Sequence, residues 1–216
     1  MIITMDGLGG TGKSSQAREL ARKIGFKSFD TGAVYRAITL KLIQDNIDPR
    51  NTENLKKILS ETKIQVDEQT ALLDNIDVSD RIRQMDITLN SAYIATIKEV
   101  KEKVIQIQRN FGDYNNVVMD GRDIGTRIFP NAEIKFYLEA SPEVRAKRKY
   151  LEGKDRHLSY EEILRKLLER DKIEIEAKSI LVPKDAFIIN TDNMSFQEVS
   201  EKITQITMQR INLIER

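Results

Sequence analysis

The run Gly7-Leu8-Gly9-Gly10-Thr11-Gly12-Lys13-Ser14 sits between a short apolar segment, Ile2, Ile3 and Met5, and a stretch with helical periodicity, Ala17, Leu20, Ala21 and Ile24. It fits the spacing G-x-x-x-x-G-K-[ST]. Glycines at these positions let the backbone wrap an anion so that its N–H groups point inward, and the following helix adds its positive end. A glycine-rich turn with a chance lysine is the competing explanation, and the flanking strand and helix patterns disfavour it. The motif therefore predicts a strand, a phosphate loop of Gly7, Gly9, Gly10, Thr11, Gly12, Lys13, Ser14 and Ser15, and a helix that Gly25 stops. Lys13 is expected to reach the β- and γ-phosphates of a nucleotide, and Ser14 to place its hydroxyl on a magnesium ion.

Such a loop occurs in GTPases, ATPases, motors and small-molecule kinases alike. A guanine-selecting N-K-x-D motif is missing from the chain, which argues against a GTPase. The remaining pattern predicts a second strand at 26–29, a turn at 30–32 and a helix at 33–44. A polar, differently patterned stretch at 46–85 contains a helix at 52–61 and short alternating segments at 63–67 and 71–78. One long helix is expected over 86–111, strands over 117–119, 133–138 and 186–189, and helices over 142–150, 159–178 and 195–214, with a mobile loop at 151–158. The last helix carries Val199, Ile203, Ile206 and Ile214 as a docking stripe. Strands alternating with helices argue for an α/β fold with a parallel sheet.

Composition narrows the chemistry. Of 216 residues none is cysteine and one, His157, is histidine, which excludes thiolate nucleophiles and multi-histidine metal sites. Lys and Arg number 35 against 34 Asp and Glu, a balance that does not call for nucleic acid as a partner. No apolar stretch approaches membrane-spanning length, and the start of the chain lacks a basic leader. These features lead to the expectation of a cytoplasmic protein with no nucleic-acid or membrane partner.

Two clusters follow predicted strands: Asp30-Thr31-Gly32-Ala33-Val34-Tyr35-Arg36 and Asp120-Gly121-Arg122-Asp123-Ile124-Gly125-Thr126. Each lies where the carboxyl ends of parallel strands open onto a crevice, and each offers an arginine whose fork suits a phosphate dianion. A second phosphate-bearing substrate opposite the phosphate loop is the natural inference. Asp120 and Asp6 both end apolar strands, a usual place for a carboxylate that orients magnesium directly or through water, and a place equally suited to capping a turn.

At these residues the chain resembles the bacterial cytidylate (CMP) kinases, a branch of the nucleoside monophosphate kinases. The resemblance is carried by DTGAVYR at 30–36, DVSDRIR at 77–83, DGRDIG at 120–125, Phe129-Pro130 and Ala140-Ser141 through Arg145-Ala146. It implies a three-layer phosphate-loop kinase with about five parallel core strands. Residues 1–44 and 86–216 would form the core, 45–85 a monophosphate-binding insert, and 151–160 a small lid. It implies transfer of the γ-phosphoryl of MgATP to CMP or dCMP, giving ADP and CDP or dCDP; the chain is expected to act as a monomer.

Residue by residue, the resemblance assigns catalysis to Lys13, Arg122 and Arg170. It puts Arg36 and Arg122 on the acceptor phosphate, Ser91 and Asp123 on the cytosine amino edge, and Lys101, where the family usually has arginine, near the base. Thr31 stands near the nucleotide, Glu174 takes the place of an aspartate that grips the ribose, and Arg145 and Arg148 reach towards ATP, unless both are simply solvated on a basic helix face. The metal would meet Ser14 and Asp120. Ala177 stands where an arginine normally meets the monophosphate and Ile180 replaces a proline. Lys178 is a candidate substitute for the lost charge. Two alternatives stay open: a sister kinase with shifted acceptor preference such as UMP, and a nucleotide-binding regulator with little turnover.

Overall fold

A computed structural model describes residues 1–67, 70–153 and 158–214 of the chain. The elements run β1 (Ile2–Asp6), α1 (Lys13–Ile24), β2 (Lys27–Asp30), α2 (Thr31–Gln44), α3 (Thr52–Glu61), β3 (Ile64–Val66), β4 (Ala71–Leu73), β5 (Ile76–Asp77), α4 (Met85–Ile94), α5 (Lys98–Asp113), β6 (Val117–Gly121), β7 (Ile134–Glu139), α6 (Pro142–Glu152), α7 (Tyr160–Glu176), β8 (Phe187–Asn190) and α8 (Phe196–Ile214). A 3-10 turn spans Arg81–Arg83 and a single π turn spans Ile124–Ile128.

Five strands form one parallel sheet in the order β2-β6-β1-β7-β8. Period-2 alternation splits its side chains between two faces. Val117, Met119 and Phe29 join α2, α5 and the segments around α3 and α4 in one core. Ile3, Met5, Val118, Phe136 and Leu138 face α1 and α8 in the other. The three-layer α/β arrangement with five core strands is therefore as expected. Between α3 and α4, β3, β4 and β5 form a separate antiparallel sheet, whose Val66, Ala71 and Leu73 are continuous with the first core.

The single long helix expected over 86–111 is two. The chain turns at Ala95–Ile97, where Thr96 donates both its backbone N–H and its hydroxyl to the Tyr93 carbonyl and Ile97 takes an extended conformation. Apolar periodicity continues across the break, which is why the pattern concealed it. Ile214, expected on the stripe of α8, is exposed, whereas Val199 and Ile203 are buried. Of the loop expected at 151–158, Leu151 and Glu152 belong to α6. Residues 154–157, including His157, lie outside the described residues.

α6 and α7 pack as a hairpin through Ala146, Ile163 and Leu167. Ser159 and Glu162 form a reciprocal capping box at the start of α7, which fixes where that helix begins. Arg145 is 1% exposed. Its guanidinium makes two bonds to Asp171, at 3.1 and 2.7 Å, and donates to the carbonyls of Gly9 and Ala140. This arginine is thus neither a solvated group nor a nucleotide ligand; it ties the hairpin to the phosphate loop. Arg145→Met is expected to cost about 3–5 kcal/mol because it strands a buried carboxylate, and Arg145→Met with Asp171→Leu to cost clearly less. Urea unfolding of the three proteins checks this, and equal losses in the single and double variants would contradict it.

Candidate active site

The site forms where β1 and β6 end side by side. Their register pairs Met5 with Asp120 and Asp6 with Gly121, so the turn after each strand opens at the same sheet edge. After β1 the chain passes through the phosphate loop. Gly7 has φ +147°, and a Cβ there would run into the Leu138 carbonyl at the end of β7, so only glycine fits. Gly12 takes φ +92° and begins α1. Thr11 is buried and donates to the Leu8 carbonyl. Gly7 and Thr11 thus shape the loop from beneath, while Gly9, Gly10, Gly12, Lys13, Ser14 and the exposed Ser15 line a cavity of about 310 Å³.

The same cavity gathers most of the remaining candidates: Thr31, Arg36, Ser91, Lys101, Asp120, Arg122, Asp123, Arg148, Arg170 and Glu174. They come from seven different elements and connections, brought together by the fold alone. Ser14 Oγ donates to Asp120 Oδ2 at 2.6 Å. Burial raises Asp120 to about 6, with the charge of Asp30 adding to the effect. Lys13 Nζ donates to the Leu8 carbonyl at 3.0 Å, and burial followed by the charge of Arg122 lowers it to about 7. The lysine is thus held without a full counter-charge, ready for an incoming anion.

Across the cavity, Glu174 lies between two arginines. It accepts from Arg122 at 2.7 and 3.1 Å and from Arg170 at 2.8 Å. Burial opposes its charge, but the two guanidiniums outweigh burial and hold the carboxyl far below the usual range. Arg36 pairs with Asp30 at 3.2 Å, and its buried Nε has no hydrogen-bond partner among the described residues. Asp30 also caps α2 through the Ala33 N–H. Thr31 accepts from the buried Gln108 of α5 at 2.9 Å, and Ser91 donates to the Thr88 carbonyl at 2.8 Å. Lys101 contacts Ser179 at 3.4 Å. Arg148 is fixed by Thr191, donating to its hydroxyl and its carbonyl.

Two carboxylate and cation assignments change. Asp6 is fully buried and accepts the backbone N–H groups of Ile124 and Gly125 at 2.9 and 2.8 Å, so it caps the turn after Arg122 and Asp123 instead of facing a metal. Lys178 does not line the cavity; it turns its carbonyl to Arg127, leaving the position of Ala177 without a replacement cation from that segment. Among the cavity-lining residues that sequence reasoning did not assign are two arginines, Arg18 and Arg83. Arg18 stands one helical turn beyond Ser14, a spacing that places both on one helix face. Arg83 closes the quoted DVSDRIR segment.

The family model described as Cytidylate kinase matches residues 3–209. The chain belongs to the cytidylate kinase family. Among curated relatives, cytidylate kinase from Caldanaerobacter subterraneus subsp. tengcongensis is 40% identical over 205 residues, covering 93% of this chain and 92% of that one. The Caldicellulosiruptor saccharolyticus cytidylate kinase is 38% identical over 212 residues, 94% of each chain. That of Bacillus subtilis is 38% identical over 218 residues, 97% of each. Among solved structures, an uncharacterized protein from Eubacterium ventriosum aligns with TM-score 0.54 at 12% identity, covering 95% of this chain and 97% of that one. TT1252 from Thermus thermophilus aligns at TM-score 0.50 and 16% identity, covering 97% and 96%. These two likenesses concern the fold alone.

In this cytidylate kinase family member the donor set also fits the magnesium ion that the phosphate-loop motif leads one to expect. Ser14 and Asp120 present hard oxygen atoms 2.6 Å apart, the chemistry magnesium prefers. Among the described residues no group of three or more His, Cys, Asp or Glu could hold a metal by itself. Such a pair suits an ion that takes its other ligands from phosphates and water.

Burial raises Asp6 to about 7 from 3.8, so its proton is bound more tightly in the folded state. The folded protein then holds a proton that the unfolded chain releases between about pH 4 and 7, and stability falls as pH rises through that window. Asp6→Asn is expected to remove this contribution, flattening the stability curve by up to about 1.4 kcal/mol per pH unit relative to the parent. Denaturant unfolding at several pH values from 4.5 to 7 checks it. Parallel curves for the two proteins would contradict the assignment.

Proposed function

We propose that this enzyme of the cytidylate kinase family transfers the γ-phosphoryl of MgATP to the 5′-phosphate of CMP or dCMP. The observation that carries the reading is the shared cavity, in which the phosphate loop faces Arg36, Arg122 and Asp123. A donor phosphate on the loop and an acceptor phosphate on the two arginines would face each other across it. The oxygen of the acceptor phosphate is already nucleophilic, so no serine, cysteine or histidine nucleophile is required. As that oxygen bonds to the γ-phosphorus, the bond from the γ-phosphorus to the β,γ-bridging oxygen breaks and ADP leaves.

The protein's work is positioning and charge stabilisation. Lys13, Arg122 and Arg170 converge on the space where charge spreads over the transferring group. The phosphates restore the full charge of Lys13, whose ammonium burial disfavours. Arg148, clamped by Thr191, presents a fixed cation on the donor side. Ser14 and Asp120 would hold a magnesium ion brought with ATP, and it would supply Lewis-acid withdrawal of charge from the phosphates. Asp123 and Ser91 face the base edge, and Thr31, Lys101 and Glu174 complete the acceptor pocket. Residues 45–85 would supply the acceptor-side subdomain and the segment 151–160 a small lid, and closure of the two would exclude water and suppress ATP hydrolysis.

One chain supplies every group named, which supports a monomeric enzyme. Nucleotide substrates accord with a cytoplasmic location, and no helix among the described residues is long and apolar enough to cross a membrane. The cavity's cations are spent on these small anions, and no nucleic-acid role is invoked.

ADP release from MgATP, with CMP, dCMP, UMP, AMP and GMP each offered alone, tests the reading. Turnover is expected with CMP and dCMP; turnover with another monophosphate alone would shift the acceptor, and silence with all five would refute the activity. Lys13→Ala is expected to lower kcat by at least about a hundredfold, the scale of losing one preorganised charge in a transition state. Arg122→Ala is expected to raise KM for CMP about tenfold or more, since hydrogen bonds to charged groups are worth roughly 1.5–3 kcal/mol. An unchanged response to CMP concentration would remove Arg122 from the acceptor site.

A further inference from the structure

Arg127 has no part in the chemistry above, yet it is bound to the residue that faces the base. It lies in the π turn at Ile124–Ile128, four residues after Asp123. Its Nη1 donates to Asp123 Oδ2 at 3.2 Å, and its Nη2 donates to the Lys178 carbonyl at 2.9 Å. Lys178 follows the end of α7 and takes φ +48°, an uncommon conformation for a non-glycine residue. The guanidinium is thus anchored at two points, behind a carboxylate that lines the cavity. The other carboxylate oxygen, Oδ1, has no hydrogen-bond partner among the described residues.

The groups that act on Asp123 come from several elements. Arg127 sits in its own turn, Arg122 is its chain neighbour, and Lys101 faces it from α5. Tyr35 faces it from α2 and Asp6 from β1. Burial pushes the Asp123 carboxyl upward, and Arg127 opposes that more than Lys101 or Arg122 does.

An ionised carboxylate can only accept hydrogen bonds, whereas a protonated one also donates. A base edge with an amino group at C4 donates, and one with a carbonyl there accepts. We propose that Arg127 is a positioning residue for base selection, holding Asp123 as an acceptor towards the base so that a 4-amino pyrimidine is taken and a 4-oxo pyrimidine is rejected. The proposal rests on the reading that Asp123 faces the cytosine amino edge. It adds that the discrimination depends on a cation outside the cavity. Rejection arises because two acceptors would face each other in a site closed to water, leaving both unpaired.

The experiment measures kcat/KM for CMP and for UMP at pH 6 and pH 8, at constant ionic strength. The proteins are the parent, Arg127→Gln, Arg127→Lys and Asp123→Asn. Glutamine keeps a donor for the Lys178 carbonyl but removes the charge. Arg127→Gln is expected to lower the CMP to UMP ratio about threefold at pH 6, the scale of a half-exposed ion pair, and less at pH 8. The change should come from a gain in UMP use, because a protonated Asp123 donates to O4. Arg127→Lys should keep most of the parent's ratio. Asp123→Asn should lower the ratio equally at both pH values, because an amide presents either a donor or an acceptor. An unchanged ratio in Arg127→Gln beside a lowered one in Asp123→Asn would overturn the role of Arg127 alone. An equal loss of CMP and UMP use in Arg127→Gln would overturn it too, by showing a purely structural role. An unchanged ratio in Asp123→Asn would overturn the base-facing reading of Asp123 and the proposal with it.

Discussion

The parallel pairing of β1 with β6 is the constraint on which the site depends. It sets Met5 beside Asp120 and Asp6 beside Gly121, so the two loops that follow leave the sheet together. One of them carries Lys13 and Ser14, the other Arg122 and Asp123. The Ser14–Asp120 hydrogen bond spans 106 residues of sequence and yet costs the fold nothing extra, because the strands beneath already fix both ends. Asp6 adds a second tie. It ends the strand that launches the phosphate loop, and its carboxylate receives two N–H groups from the turn behind Arg122 and Asp123. Movement of one loop is therefore resisted by the other. The remainder of the molecule, α1 and α8 on one face and α2 and α5 on the other, buries the two faces of that sheet.

Much of this was legible in the chain. Glycines at fixed spacing between an apolar strand and an amphipathic helix define the phosphate loop by themselves, because few other geometries need that pattern. The alternation of strands and helices fixed the parallel sheet, and the two arginine-bearing clusters fell where strand ends open onto a crevice. What escaped was any feature whose partner is remote. Arg145 and Arg148 lie three residues apart on one basic helix and look alike in sequence. Only Asp171 and the Gly9 carbonyl make the first a buried strut, while Thr191 makes the second a positioned cation. Asp6 and Asp120 both end apolar strands. The turn that follows Arg122 decides that one caps backbone and the other meets Ser14. The break between α4 and α5 was concealed for a different reason: the apolar period runs through it, and only a local bond from Thr96 to the Tyr93 carbonyl marks the turn.

The departures at 174 and 177 acquire a physical sense once charges are counted in place. A cavity built to hold phosphates gathers guanidiniums, and without phosphates those cations need a counter-charge. Glu174 supplies it for Arg122 and Arg170 together, and its own charge is held by both. A glutamate has one methylene more than the aspartate it replaces, which extends its reach across the pocket. With Ala177 and not a further arginine behind it, one anion between two cations leaves a smaller excess charge than one anion among three. Glu174 takes the Nε and Nη2 donors of Arg122, and the guanidinium, with five N–H donors in all, keeps its Nη1 side for the acceptor phosphate proposed above. On that proposal, acceptor binding adds an anion to an ion pair already in place. Glu174 holds Arg122 and Arg170 in position together, and the pull of these two cations on an acceptor phosphate is what remains after the charge of Glu174 is counted.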